Sequence, residues 1–164
     1  MPFQVISPPE HPEHAHPVIF LAGPIQGAPD WHAEAIAWFQ KHTPEVTIAT
    51  PKRINLDRKV TYAEQVDWET QYLNQAAQTG VVLFWLAKEQ NHSCARPYAQ
   101  TTRFELGEWK AKHEQSGCKM VLGIDEGFSN SRYFHRRFGQ DCPRVPICNT
   151  LEETCAKANA LLDE

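Results

Sequence analysis

Hydrophobic positions along the chain change their spacing at regular intervals. Short unbroken apolar runs, "PVIFLAG" (17–23), "VTIAT" (46–50), "VVLFWL" (81–86), "CKMVLGI" (118–124) and "VPICN" (145–149), alternate with longer stretches of mixed polarity. Runs of this length, bounded by Gly, Pro or polar residues, read as strands buried on both faces of a parallel sheet. The stretches between them carry helix start signals. Asp30 precedes "WHAEAIAWFQKH", Thr61 and Glu64 form a capping box ahead of a helix reaching Gln78, and Thr150 opens a helix ending near Leu162. Strands and helices in alternation imply right-handed βαβ crossovers. The expectation is therefore an α/β, three-layer fold with a five-stranded parallel sheet, flavodoxin-like or Rossmann-like. Residues 1–16 are rich in Pro and His and show no periodicity, so they read as an irregular arm ahead of one α/β domain over 17–164.

In such sheets ligands bind outside the carboxyl ends of the strands. That directs attention to the loops after Phe20, Ile48, Leu86 and Gly123, and to the helix starts behind them. One of these starts, "TTRFELGEWK" (101–110), sets Glu105 between Phe104 and Leu106. Two readings compete. Thr102-x-x-Glu105 matches a capping box in a first helical turn. Against this, Gly107 is costly inside a helix unless the backbone packs closely on something, and Glu105 is the i, i+4 neighbour of Trp109 on the border of the packed face.

The helix behind Thr61 offers a second acid of the same kind. Val66, Leu73, Ala76 and Ala77 form an apolar face, and Glu69 falls on it, three residues after Val66 and four before Leu73. A carboxylate on a buried stripe is costly unless it is paired or used; the plain alternative is a rim position with a water or Arg partner. Two carboxylates flanking one crevice suit chemistry at an anomeric carbon, one attacking the sugar while other polar groups hold its hydroxyls.

Composition narrows the class. A chain of 164 residues buries a core of its own without staples. Net charge is −4 and no basic stripe is present, which argues against a nucleic acid polymer as partner. The longest apolar stretch, "GVVLFWLA" (80–87), is too short to span a bilayer, and the N-terminus shows no secretory pattern. Five cysteines without a CxxC pair read as reduced, mostly packed thiols, so a cytoplasmic protein is expected. His11, His14 and His16 in "HPEHAH" have no following set of ligands at metal spacing, so no metal is expected. Trp31 and Trp85 suit either base stacking or the core. In "NHSCARPY", a loop of the kind that forms lids, His92 reads as solvated, and Cys94 would need a neighbouring base before it could act as a nucleophile.

The segments "VIFLAGPIQG", "QVDWETQYLNQAAQTGVVLFWL", "TTRFELGEW" and "GIDEGFSNSRYFHRRF", in this order and spacing, resemble the nucleoside 2-deoxyribosyltransferase family over roughly residues 17–138, and most of all its bacterial nucleoside 2-deoxyribosyltransferase-like branch. The resemblance implies a flavodoxin-like sheet and a nucleophilic glutamate in the "ELG" motif, at Glu105. It also implies a second acid holding sugar hydroxyls, at Glu69. A first-strand loop at Ala22, Gly23, Pro24 and Ile25 would line the sugar and base. Trp85, Tyr98, Thr102 and Asn130 complete the expected substrate contacts. The implied reaction moves a 2-deoxyribosyl group between bases through a covalent sugar–glutamate. The partners would be a nucleoside and a free base, with no cofactor and no membrane, in a homo-oligomer. Alternatives on the same fold are an N-glycoside hydrolase or a non-catalytic nucleotide-binding module. The sequence departs from the family at Ile19-Phe20, where characterised transferases carry a tyrosine, and at Ala99, where many carry an aspartate. Arg96 and Arg103 are the cations nearest the expected site for a 5′-phosphate.

Overall fold

A computed structural model describes residues 3–164. Its elements are β1 (Gln4–Ile6), β2 (Val18–Ala22), α1 (Trp31–His42), β3 (Thr47–Ala49), α2 (Tyr62–Thr79), β4 (Val81–Leu86), α3 (Gln100–Ser116), β5 (Met120–Ile124), α4 (Ser131–Asp141), β6 (Ile147–Cys148) and α5 (Leu151–Leu162). All strand pairs are parallel, in the order β1-β3-β2-β4-β5-β6. Without β1, this is the flavodoxin-like order, in which the chain turns from one side of the first central strand to the other.

The sheet has six strands rather than five. The extra one, β1, lies in the segment expected to be an irregular arm and extends the edge beside β3, with Gln4, Val5 and Ile6 opposite Thr47, Ile48 and Ala49. The rest of the arm is tied down too. Trp68 Nε1 donates to the Glu10 carbonyl at 2.8 Å, and the His11 ring stacks on Tyr72 of α2 at 5.7 Å between centroids.

Strand side chains alternate between the two faces, as a period of two requires. Val18, Phe20, Ala22, Val82, Phe84 and Leu86 pack with Trp68, Tyr72, Leu106, Trp109 and Phe138, so α2, α3 and α4 cover this face. Ile19, Leu21, Val81, Leu83 and Trp85 pack with Trp31, Ala35, Phe39, Cys155 and Ala158 on α1 and α5. Because every central strand is covered on both sides, β2, β4 and β5 are buried at every residue.

The helix starts expected at Asp30, Thr61 and Thr150 form as read. Asp30 accepts from the Ala33 amide, Thr61 and Glu64 complete a reciprocal capping box, and Thr150 accepts from the Glu153 amide. Asp30 also pairs with Lys52 at 2.7 Å, which links the loop after β3 to the start of α1 and holds the Asp30 carboxyl below its ordinary range. Next to it, His32 is buried against the Trp31 ring, and desolvation pushes it down to about 3, so it is neutral.

The start of α3 differs from expectation. The helix begins at Gln100, behind Ala99 in the left-handed conformation at φ 56°, and no side chain caps it. Thr102 is buried inside the helix, and Glu105 lies in its second turn. Thr102 and Glu105 therefore form no capping box. Nor is Gly107 a close-packing point: a Cβ there would meet nothing within 4 Å. The buried face of α2 also differs from expectation. Its core side runs through Trp68, Tyr72, Leu73 and Ala76, whereas Val66 is 39% exposed. The Val66–Glu69–Leu73 stripe runs along a cleft between α2 and α3, whose α3 side includes Phe104, Glu105 and Trp109.

Candidate active site

The loops after β2 and β4 leave the sheet side by side, at the point where the strand order reverses. Between them, α2 and α3 enclose a cavity of about 390 Å³, in the range of small-molecule sites. Gly23, Pro24, Ile25 and Gln26 form one wall. Glu69 of α2 and Thr102 and Glu105 of α3 form another, and Arg96, Pro97 and Ala99 close the rim. A second cavity of about 220 Å³ adjoins it between α2 and α3, lined by Val66, Leu73, Phe104 and Trp109 among others. Tyr62, Glu69, Thr101 and Glu105 belong to both.

Glycine at 23 is required by space. A Cβ there would lie 2.3 Å from the Trp85 carbonyl oxygen and 2.6 Å from Cζ2 of Trp31. Trp31 Nε1 in turn donates to the Pro24 carbonyl at 2.9 Å, so the buried indole fixes the cavity wall from behind. Trp31 is thus a structural support of the loop.

Glu105 hydrogen-bonds to no described residue and forms no ion pair among them. Burial, then the negative charges of Glu69 and Glu108, push its carboxyl up to about 8. Glu69 is raised as well, by burial, against the opposing effect of a 2.6 Å hydrogen bond donated by Gln65 Nε2. The same Gln65 nitrogen donates to the Pro51 carbonyl at 3.0 Å, which anchors Glu69 through its neighbour to the loop after β3. Gln65 escaped notice in the sequence, although its i, i+4 spacing to Glu69 was the available signal.

Of the other expected site residues, Gly23, Pro24, Ile25 and Thr102 line the cavity with Glu69 and Glu105. Ala22 is 1% exposed in the core just before the loop. Trp85 points to the α1/α5 face, because odd-numbered residues of β4 face that side, so it stands on the far side of the sheet from Glu105. Tyr98 turns its hydroxyl to the Ala87 carbonyl at 2.7 Å and braces the loop 87–99, with burial pushing it up to about 12. Asn130 occupies the N-cap position of α4 in a left-handed conformation, without a capping hydrogen bond from its side chain, and does not line the cavity. Gln26, Pro51, Tyr62, Gln100 and Thr101 line it without having been singled out.

Loop 87–99 is fastened rather than hanging free. Gln90 and Asn91 amides both donate to the Gly27 carbonyl, and Arg96 donates to Gln26 Oε1. Arg103 is held elsewhere, over the Phe128 ring at 4.5 Å and on Ser129 through Nη2. Arg96 is therefore the only cationic side chain among the residues lining the larger cavity. Among the described residues, no group of three His, Cys, Asp or Glu side chains is disposed to hold a metal ion. No described helix is long and apolar enough to cross a membrane.

The carboxylate-lined cavity lies at the switch point of a flavodoxin-like sheet, the place where ligands bind in open α/β folds. Residues 16–126 match the family described as nucleoside 2-deoxyribosyltransferase like, and the chain belongs to that family. Comparison with curated proteins gives no match.

Proposed function

We propose that the protein cleaves the N-glycosidic bond of a 2′-deoxynucleoside and transfers the sugar to another base, with Glu105 as nucleophile. The observation that carries this reading is an unpaired Glu105 carboxyl on the cavity wall, with Glu69 facing the same space. In the first step a Glu105 oxygen bonds to C1′ as the C1′–N bond breaks. The bonding pair leaves with the base nitrogen, which takes up a proton from water. In the second step a nitrogen of the incoming base attacks C1′, gives its proton to water and releases the carboxylate, so configuration is retained after two inversions. Glu69, anchored by Gln65, accepts hydrogen bonds from sugar hydroxyls. The backbone-rich loop Gly23–Gln26 lets the ligand approach closely.

Incubation with a deoxynucleoside and a different free base, followed by chromatographic separation, tests the proposal. A new deoxynucleoside with the original anomeric configuration is expected. Unchanged substrate across a panel of purine and pyrimidine deoxynucleosides would overturn it.

A further inference from the structure

Cys94 gains from the fold the base that its sequence context could not show. His92 Nε2 lies 3.4 Å from Cys94 Sγ, and His92 Nδ1 lies 3.1 and 3.2 Å from the two Glu89 carboxylate oxygens. With Nδ1–H donating to Glu89, the tautomer is set so that Nε2 accepts from the thiol. Nucleophile, base and orienting carboxylate are thus in line, the arrangement by which a thiol is made reactive. The three side chains stand on loop 87–99, whose backbone is pinned at Gln90 and Asn91, and Cys94 is the one exposed cysteine. Cys142, Cys148 and Cys155 are buried, and Cys118 is half-buried, with the neighbouring His113 ring bonded to its carbonyl rather than to its thiol. The Cys94 group is separate from the Glu69–Glu105 cavity, yet Arg96, two residues on, lines that cavity.

We propose that Cys94 is a modification site: a thiol activated by His92 that exchanges with small disulfides and carries the resulting mixed disulfide on the cavity's rim loop. As Sγ attacks one sulfur of the disulfide, His92 takes the thiol proton. The disulfide bond breaks, its electron pair leaves on the other sulfur, and that thiolate receives the proton from His92. Each turn converts one thiol and one disulfide into a mixed disulfide and a free thiol, with no other oxidant. The imidazole is the general base and Glu89 holds it in register.

The test is the rate of reaction of the whole protein with dipyridyl disulfide, followed by absorbance of the released thiopyridone, with the modified cysteine located by peptide mass spectrometry. Cys94 is expected to react first and at least about tenfold faster than Cys118. His92→Ala is expected to slow Cys94 about tenfold without changing the Cys118 rate, and Glu89→Gln to slow it less. Unchanged far-ultraviolet circular dichroism shows that the variants fold. Equal rates at Cys94 and Cys118, or a Cys94 rate indifferent to His92→Ala, would overturn the proposal. Neither outcome depends on the nucleoside chemistry proposed above.

Discussion

Glu69 and Glu105, 36 positions apart in sequence, stand on neighbouring helices and share the lining of both cavities, and the charge on one makes the other harder to ionise. That relationship gives the site its chemical character. A carboxyl buried without a partner gives up its proton reluctantly, and once ionised is poorly solvated and nucleophilic.

Ionisation of Glu105 sets the first prediction. Because its carboxyl is raised to about 8, the attacking carboxylate is the minority form at pH 7. The specificity constant kcat/KM is expected to rise with pH up to about 8, changing about tenfold per pH unit on the acid side. Glu69→Gln removes the neighbouring charge, so the acid limb should move to lower pH while KM rises. A profile centred near the ordinary carboxylate value in the wild type would show that Glu105 is not the ionising group.

Stability supplies the second. The folded protein retains the Glu105 proton that the unfolded chain releases between its ordinary value of 4.5 and about 8. Folding stability contributed by the protonated group is complete below 4.5 and is lost as pH rises through that window. Glu105→Gln keeps the side chain neutral throughout. It should therefore lose at least about a thousandfold in activity yet be more stable than the wild type at pH 8, on the order of 4 kcal/mol, and nearly equal at pH 4. Denaturant titrations at the two pH values measure the difference.

The strands could be read from the chain because buried parallel strands are continuous apolar runs, and the α1, α2 and α5 starts because their caps are local. What failed was governed by tertiary context. The edge strand β1 has three residues in a Pro- and His-rich segment, and the sheet rather than its own sequence recruits it. Helix α4 turns only Phe134 and Phe138, four residues apart, to the core, and with Phe138 alone fully buried its apolar face is too narrow to stand out in the sequence. Thr102-x-x-Glu105 has the pattern of a cap because that pattern is local, but the helix starts behind Ala99, three residues before Thr102, and Thr102 and Glu105 both line the cavity. Glu69 was legible because a carboxylate on an apolar stripe has to be explained. Trp85 was misplaced because its face depends on strand parity relative to the helices.

Gln65 is expected to act through Glu69. Gln65→Leu removes both the 2.6 Å bond to Glu69 and the tie to Pro51, leaving the carboxylate free to rotate. The kcat/KM for a deoxynucleoside should fall about tenfold, equivalent to about 1.4 kcal/mol, chiefly through KM, with the fold intact. Steady-state kinetics beside circular dichroism separates this from simple unfolding.

Gly23→Ala tests the packing behind the cavity wall. The added methyl meets the Trp85 carbonyl and the Trp31 ring, so the variant should lose about 1–3 kcal/mol of stability and bind nucleosides more weakly as Pro24 is displaced. Thermal denaturation with and without nucleoside gives both quantities.

The central claim is that Glu105 becomes covalently bonded to a sugar. Its most direct measurement is peptide mass spectrometry after incubation with a 2′-fluoroarabinosyl nucleoside, whose electron-withdrawing fluorine slows breakdown of a glycosyl ester. A pentosyl adduct on the peptide containing Glu105, absent from Glu105→Gln, is the predicted result. Turnover of deoxynucleoside with no adduct, or with the adduct on another residue, would contradict the account.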